Sequence, residues 1–125
     1  MKKISEELDG FGMPLMEMAR LGTYEGYDFR IYTEPLGNPS FHLASKDFEI
    51  VITIKDLSIL EVKRCDKSKY KFTKGEKLSG AVLKSVHGFM AQKVPHTNLT
   101  RKEYIIPVWN DNNPGYQIGL DYIEW

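Results

Sequence analysis

The sequence predicts an α+β fold: an antiparallel sheet of about four or five strands from the first half, packed against two helices from the second. Three observations carry this. Apolar residues alternate with polar ones from Phe29 to Ile54, the period of a half-buried strand. Two four-residue patterns, Thr73-Lys74-Gly75-Glu76 and Thr100-Arg101-Lys102-Glu103, match the box that caps a helix start. The 125 residues are 42% hydrophobic and 27% charged, enough for one apolar core without staples. Residues 1–12 read as a loose N-terminal arm and 13–125 as a single domain.

The arm is broken by Gly10, Gly12 and Pro14. Residues 13–22 fit either a helix or a strand. Leu15, Met18, Ala19 and Leu21 make a partial helical stripe; Met16, Met18 and Arg20 share one side of a strand. The plausible hairpin turn at Tyr24-Glu25-Gly26-Tyr27 favours the strand. Phe29, Ile31 and Thr33 then alternate with Asp28, Arg30 and Tyr32. Pro35 and Pro39 bracket Gly37-Asn38, a turn pair that interrupts the sheet.

Residues 40–55 hold the strongest strand signal. Phe41 and Leu43 alternate with Ser40, His42 and Ala44. After a turn at Ser45-Lys46-Asp47, Phe48, Ile50, Ile52 and Ile54 form one wholly apolar face. Asp56-Leu57-Ser58 breaks the run, and Ile59 to Val62 is a further short strand.

The helices come after. Leu78, Val82, Val86, Phe89 and Met90 form a stripe on an expected helix over 76–93, with Lys77, Lys84 and Gln92 facing away. The second helix begins after Thr100 and carries Tyr104, Ile105, Val108 and Trp109. Pro107 lies too deep for a first-turn proline, so this helix is expected to be kinked or short. Asn110 to Gly115 reads as a dense turn, and the apolar tail from Tyr116 to Trp125 as a docked segment or edge strand.

Charge is balanced, with 17 basic and 17 acidic residues, so no global field points to nucleic acid or membrane. The distribution is uneven. Residues 63–77 carry seven basic residues against Asp66 and Glu76. One cysteine, Cys65, allows no internal disulfide and fits a reducing compartment. The N-terminal acids exclude a signal peptide's apolar run, and no stretch reaches the length of a membrane span. A cytoplasmic protein is expected.

Seven residues are candidate binding residues. His42 lies on the polar phase of its strand. Arg30 is the nearest strand cation in sequence. Lys67, Lys69, Lys71 and Lys74 interleave with Tyr70 and Phe72, and cations mixed with aromatics are what single-stranded nucleic-acid binding needs; Tyr70 is the aromatic candidate. His42, His87, His96 and Cys65 match no zinc spacing, and Asn110 to Asn113 lacks the spaced carboxylates of a calcium loop. No phosphate-binding glycine loop or nucleophile motif is present. No cofactor and no metal are expected, and no catalytic residue is assigned.

At Asn38-Pro39-Ser40-Phe41-His42-Leu43, and on through Phe48-Glu49-Ile50, the chain resembles a group of small uncharacterised bacterial and phage proteins. Their mark is an Asn/Glu-Pro-X-Phe-His-hydrophobic strand after a short hairpin. In that group a Lys-Leu-Ser-led helix and a Trp-Asn-Asp-Asn-Asn-Pro segment follow. Lys77-Leu78-Ser79 and Trp109 to Pro114 stand in those places, so the resemblance spans about residues 29–116. The chain is also distantly similar to small domains marked by Pro-Pro-His-X-His, associated with toxin–antitoxin or mobile-element roles. Ser40 replaces the first histidine of that pattern and only His42 remains. The absence of any recognisable catalytic constellation, together with the resemblance, leads to the expectation of a small non-enzymatic accessory protein of phage or mobile-element type that acts on another protein, or on a second copy of itself. The alternative is an RNA-directed protein, a toxin-type ribonuclease or RNA-binding module, using 63–77.

Overall fold

The computed structural model describes residues 18–125. The expected arm at 1–12, and the start of the 13–22 segment, lie outside the described residues. Five strands come first: β1 (Met18–Tyr24), β2 (Tyr27–Tyr32), β3 (Ser40–Ala44), β4 (Phe48–Thr53) and β5 (Ile59–Cys65). They form one antiparallel sheet in sequence order. Two helices follow, α1 (Gly80–Met90) and α2 (Arg101–Asn112). The α+β architecture is as the sequence predicts.

The strands form where the alternation placed them. The β1–β2 hairpin turns at Glu25 and Gly26, both at positive φ (51° and 85°), which suits the right-handed twist of the pair. Between β2 and β3 the turn falls at Pro35-Leu36 rather than at Gly37-Asn38. The Gly37 amide closes it on Glu34 O at 2.9 Å, and Gly37 takes φ 71°. Proline's fixed φ suits the second position of such a turn, which is why Pro35 starts it.

One face of the sheet holds the core. Leu21, Phe29, Ile31, Phe41, Leu43, Phe48, Ile50, Ile52 and Ile54 are all buried there, against Leu78, Val82, Val86, Phe89, Ile105 and Trp109. The rings of Phe29 and Phe89 stack at 3.9 Å, joining β2 to α1. Burying each such ring stabilises the fold by about 1.5–3 kcal/mol. In β1 a bulge at Leu21 turns its carbonyl outward to accept from the Arg101 guanidinium of α2.

The helix starts differ from each other. Thr100 caps α2 as its pattern predicts: its side chain accepts from the Glu103 amide, and Glu103 accepts from the Thr100 amide at 2.8 Å. Thr73 caps nothing. The first helix begins seven residues later, after Ser79, whose side chain makes no capping bond. Tertiary partners take the backbone of 75–78 instead. Gly75 and Leu78 donate to Ile59 O and Leu57 O, and Ile59 donates to Glu76 O. Pro107 sits inside α2, which runs on through Asn110 to Asn112, so those three residues are helix rather than turn.

The tail docks without becoming an edge strand. Trp125 Nε1 donates to Ile54 O at 2.8 Å, and the Glu124 amide to Lys55 O. Glu124 of the tail lies 3.8 Å from Lys55 Nζ.

Candidate functional site

Every strand has a second face, opposite the helices. Its residues are Arg20, Asp28, Arg30, His42, Ala44, Glu49, Val51 and Glu61, placed together by the pairings Arg20↔Arg30↔His42↔Val51↔Glu61. Ala44 and Val51 are buried there, yet neither belongs to the core cluster on the helix side.

His42 is the centre of this outer face. The sequence puts it on the polar phase, but it is only 5% exposed. Its neighbours cover it. The Tyr32 ring packs at 4.3 Å between centroids. Nδ1 lies 3.1 Å from Glu49 Oε2, and Nε2 lies 3.7 Å from Glu34 Oε2. A carboxylate accepts and does not donate, so Nδ1 carries a proton toward Glu49. Nε2 has no hydrogen-bond partner among the described residues. Ser40, two residues before it on the same face and 1% exposed, has an equally unpartnered Oγ.

His42 and its neighbours border a cleft of about 300 Å³, lined by Tyr32, Glu34, His42, Glu49, Val51, Leu60, Glu61 and Lys63. Bulges in β5 make its far wall. The register against β4 skips Lys63 and then Leu60, which turns both toward the cleft around Glu61. Lys63 and Glu61 pair at 3.5 Å on the rim. Glu34 is held from the other side. Asn113, 2% exposed after α2, accepts from the Glu34 amide at 2.6 Å and donates to Tyr32 O and Trp109 O.

Beside the cleft, Asp28 is gripped by two arginines. Arg20 Nε and Nη2 each lie 3.1 Å from its carboxylate, and Arg30 Nε lies 2.7 Å from it. Burial opposes ionisation of Asp28, but the hydrogen bonds from Arg20 and Arg30 outweigh it and hold the carboxyl below the usual aspartate range. Arg30 stands directly opposite His42 and divides its guanidinium between Tyr32 and Asp28.

Ser40, His42 and Glu49 have the residue types of a nucleophilic triad, but Ser40 Oγ makes no hydrogen bond to His42 and is closed to solvent. The two carboxylates address opposite ring nitrogens, so one ion does not meet the ring and both acids together. No group of three or more His, Cys, Asp or Glu among the described residues is placed to hold a metal ion.

The structure brings Arg30 and His42 together and keeps the other candidates apart. Tyr70 and Phe72 pack edge-on against Phe48, each at 4.8 Å, and stack on one another at 5.7 Å. Phe48 belongs to the helix-side face, so Tyr70 and Phe72 lie on the opposite side of the sheet from His42, while Lys63 of the same basic stretch lines the His42 cleft. Lys67, Lys69, Lys71 and Lys74 are exposed, with Lys69 3.4 Å from Asp47. Tyr70 and Phe72, with Val62, Cys65, Lys67 and Lys71, line a second pocket of about 400 Å³.

Sequence reasoning missed Tyr32, Glu34, Glu49 and Asn113 as site residues. The signal for Glu49 was available: it shares the polar phase of β4, one hairpin away from His42. Glu34 and Asn113 gave no local signal, because they are 79 residues apart. No protein-family model matches the chain, and neither the curated proteins nor the solved structures contain a match. Among the described residues no helix is long and apolar enough to cross a membrane.

Proposed function

We propose that this is a small non-enzymatic accessory protein of the cytoplasm that acts by binding another protein through the outer face of its sheet. One observation carries the reading. A cleft of about 300 Å³ opens on that face, lined by Tyr32, His42, Val51 and Leu60 together with the carboxylates of Glu34, Glu49 and Glu61. A concave site that mixes apolar walls with a few convergent polar groups is where a partner's side chain is received. The phage or mobile-element setting rests on the resemblance of the Asn38 to Leu43 and Trp109 to Pro114 segments.

The RNA reading has one observation in favour, the exposed lysines at 67, 69, 71 and 74. It is the weaker reading because Tyr70 and Phe72, the stacking platform it requires, are half-buried, packed edge-on against Phe48 and stacked on one another. The same geometry separates these lysines from His42 and Arg30, so a cleavage site using all of them is not assembled.

The test is a parallel affinity capture from the source cells. Three baits are used: the wild type, Glu61→Arg at the cleft rim, and Lys67→Ala/Lys71→Ala/Lys74→Ala. Capture of one protein species by the wild type and the triple variant, but not by Glu61→Arg, is expected. Capture that survives Glu61→Arg and fails in the triple variant, with RNA in the eluate, transfers the function to the basic stretch.

A further inference from the structure

We propose that the pocket between β5 and the 66–72 loop binds a small amphipathic organic anion, an apolar body that carries one carboxylate. The site lies apart from the outer face and does not depend on the binding-face reading above.

The pocket follows from how the helix-side face of the sheet is covered. The two helices pack chiefly on β1 and β2. At the far end of the sheet, Val62 and Cys65 stand opposite Ile50 and Phe48 and share their apolar face. The chain that follows β5 closes over this end. The Asp66 amide donates to Asp47 O at 2.8 Å, and the Lys69 and Tyr70 amides donate to Asp66 O. The Cys65 thiol donates to Tyr70 O at 3.5 Å. Phe48 then holds the Tyr70 and Phe72 rings edge-on. Between these rings, Val62 and Cys65 a cavity of about 400 Å³ is left, and the exposed Lys67 and Lys71 complete its lining.

The lining fixes the class of ligand. Its walls are an aliphatic side chain, two rings and a thiol already bonded to backbone. A nucleobase would bring donors and acceptors around its edge and leave most of them unpaired, which argues for an apolar body. The charge is one-sided, with two lysines and no acid among the lining residues. The acids close by have partners of their own. Asp47 lies 3.4 Å from Lys69 Nζ, and Asp66 accepts from the Ser68 hydroxyl at 2.6 Å and the Ser68 amide at 3.0 Å. Neither Lys67 nor Lys71 forms an ion pair among the described residues. Lysine stems extend apolar walls while their ammonium heads stay in water, so a carboxylate at the mouth meets both cations. A neutral ligand of the same shape gains the walls without the charge, and an ammonium is repelled. The volume is at the lower end of ligand sites and suits one ring or a short chain.

The experiment titrates the full ¹⁵N-labelled chain and follows the amides of Val62, Cys65 and Phe72 by NMR. The probes are octanoate, phenylpropionate, octanol, octylamine and uridine monophosphate. Octanoate and phenylpropionate are expected to shift these amides saturably, and whichever binds more tightly identifies the body as a chain or a ring. Octanol is expected to bind about tenfold more weakly, the scale of one charge-assisted hydrogen bond, and octylamine more weakly still. Lys67→Ala/Lys71→Ala is expected to bring octanoate down to the affinity of octanol. Lys67→Glu/Lys71→Glu is expected to place octylamine above octanoate. Lys63→Ala, on the other face of the sheet, is expected to change nothing. No saturable shift from either carboxylate, or equal affinities for octanoate and octanol, overturns the proposal. Octanoate binding unchanged in both double variants overturns it too. Uridine monophosphate bound more tightly than either carboxylate also overturns it and gives the pocket to the RNA reading.

Discussion

Asn113 Oδ1 accepts from the backbone amide of Glu34 at 2.6 Å, so the end of α2 holds the loop that carries one wall of the His42 cleft. The same carboxamide donates to Tyr32 O and Trp109 O, at 3.2 Å each. One buried side chain therefore ties the helix, the β2 strand end and the Glu34 loop together. Asn113→Ala is expected to lose about 3 kcal/mol of stability, roughly one for each bond left unmade. Urea unfolding of the variant measures it. A loss below about 0.5 kcal/mol would show that the clamp is not needed.

The two threonines with identical capping patterns separate local signal from tertiary outcome. Thr100→Ala removes a formed capping box and is expected to cost about 1 kcal/mol. Thr73→Ala removes an exposed side chain seven residues before its helix starts and is expected to change stability by less than about 0.5 kcal/mol. Thermal unfolding of the pair decides it. Equal losses would mean that the 73–76 segment caps a helix after all.

Acid is expected to destabilise the protein through depressed aspartates. The Thr53 hydroxyl donates to Asp56 at 2.6 Å, and Ser58 adds side-chain and backbone bonds; together they hold the Asp56 carboxyl below its ordinary value of 3.8. A group whose folded pKa lies below its unfolded pKa adds stability that is present in full above the unfolded value. That stability is lost as pH falls through the folded one. Asp28, held low by Arg20 and Arg30 against its burial, acts in the same direction. Stability should therefore decline below about pH 4, and Asp56→Asn should flatten the decline. Unfolding midpoints taken across that range give the slope, and a variant as steep as the wild type would contradict the assignment.

Phe89 joins the sheet to both helices. Its ring stacks on Phe29 at 3.9 Å, and the Arg101 guanidinium lies 5.2 Å from its centroid. Phe89→Ala is expected to cost about 3–5 kcal/mol by cavity formation and lost transfer energy. Denaturant unfolding provides the value; a cost near 1 kcal/mol would mean that the core closes around the gap.

The sheet was legible because Phe41 to Ile54 alternates with one wholly apolar face, and burial of that face admits one register. The Thr100 cap was legible because its box is local and nothing competes for those amides. The Thr73 pattern misled because Ile59 and Leu57, reached only through the fold, take the neighbouring backbone. His42 shows where the site ran out of sequence signal. Alternation puts it on the outer face, but its burial comes from Tyr32 and Glu34 before a turn and from Glu49 across a hairpin. In the 63–77 stretch the mixture of cations and aromatics was legible, but composition does not reveal that Tyr70 and Phe72 pack edge-on against Phe48.

The most direct test of the outer face as the binding surface is lysine acetylation footprinting of the captured complex against the free protein. Lys63 sits on the cleft rim, 43% exposed, while Lys67, Lys71 and Lys74 stand exposed around the other side. The account predicts that the partner slows acetylation of Lys63 and leaves the other three at their free rates. Protection of Lys67, Lys71 and Lys74 with Lys63 unchanged would contradict it.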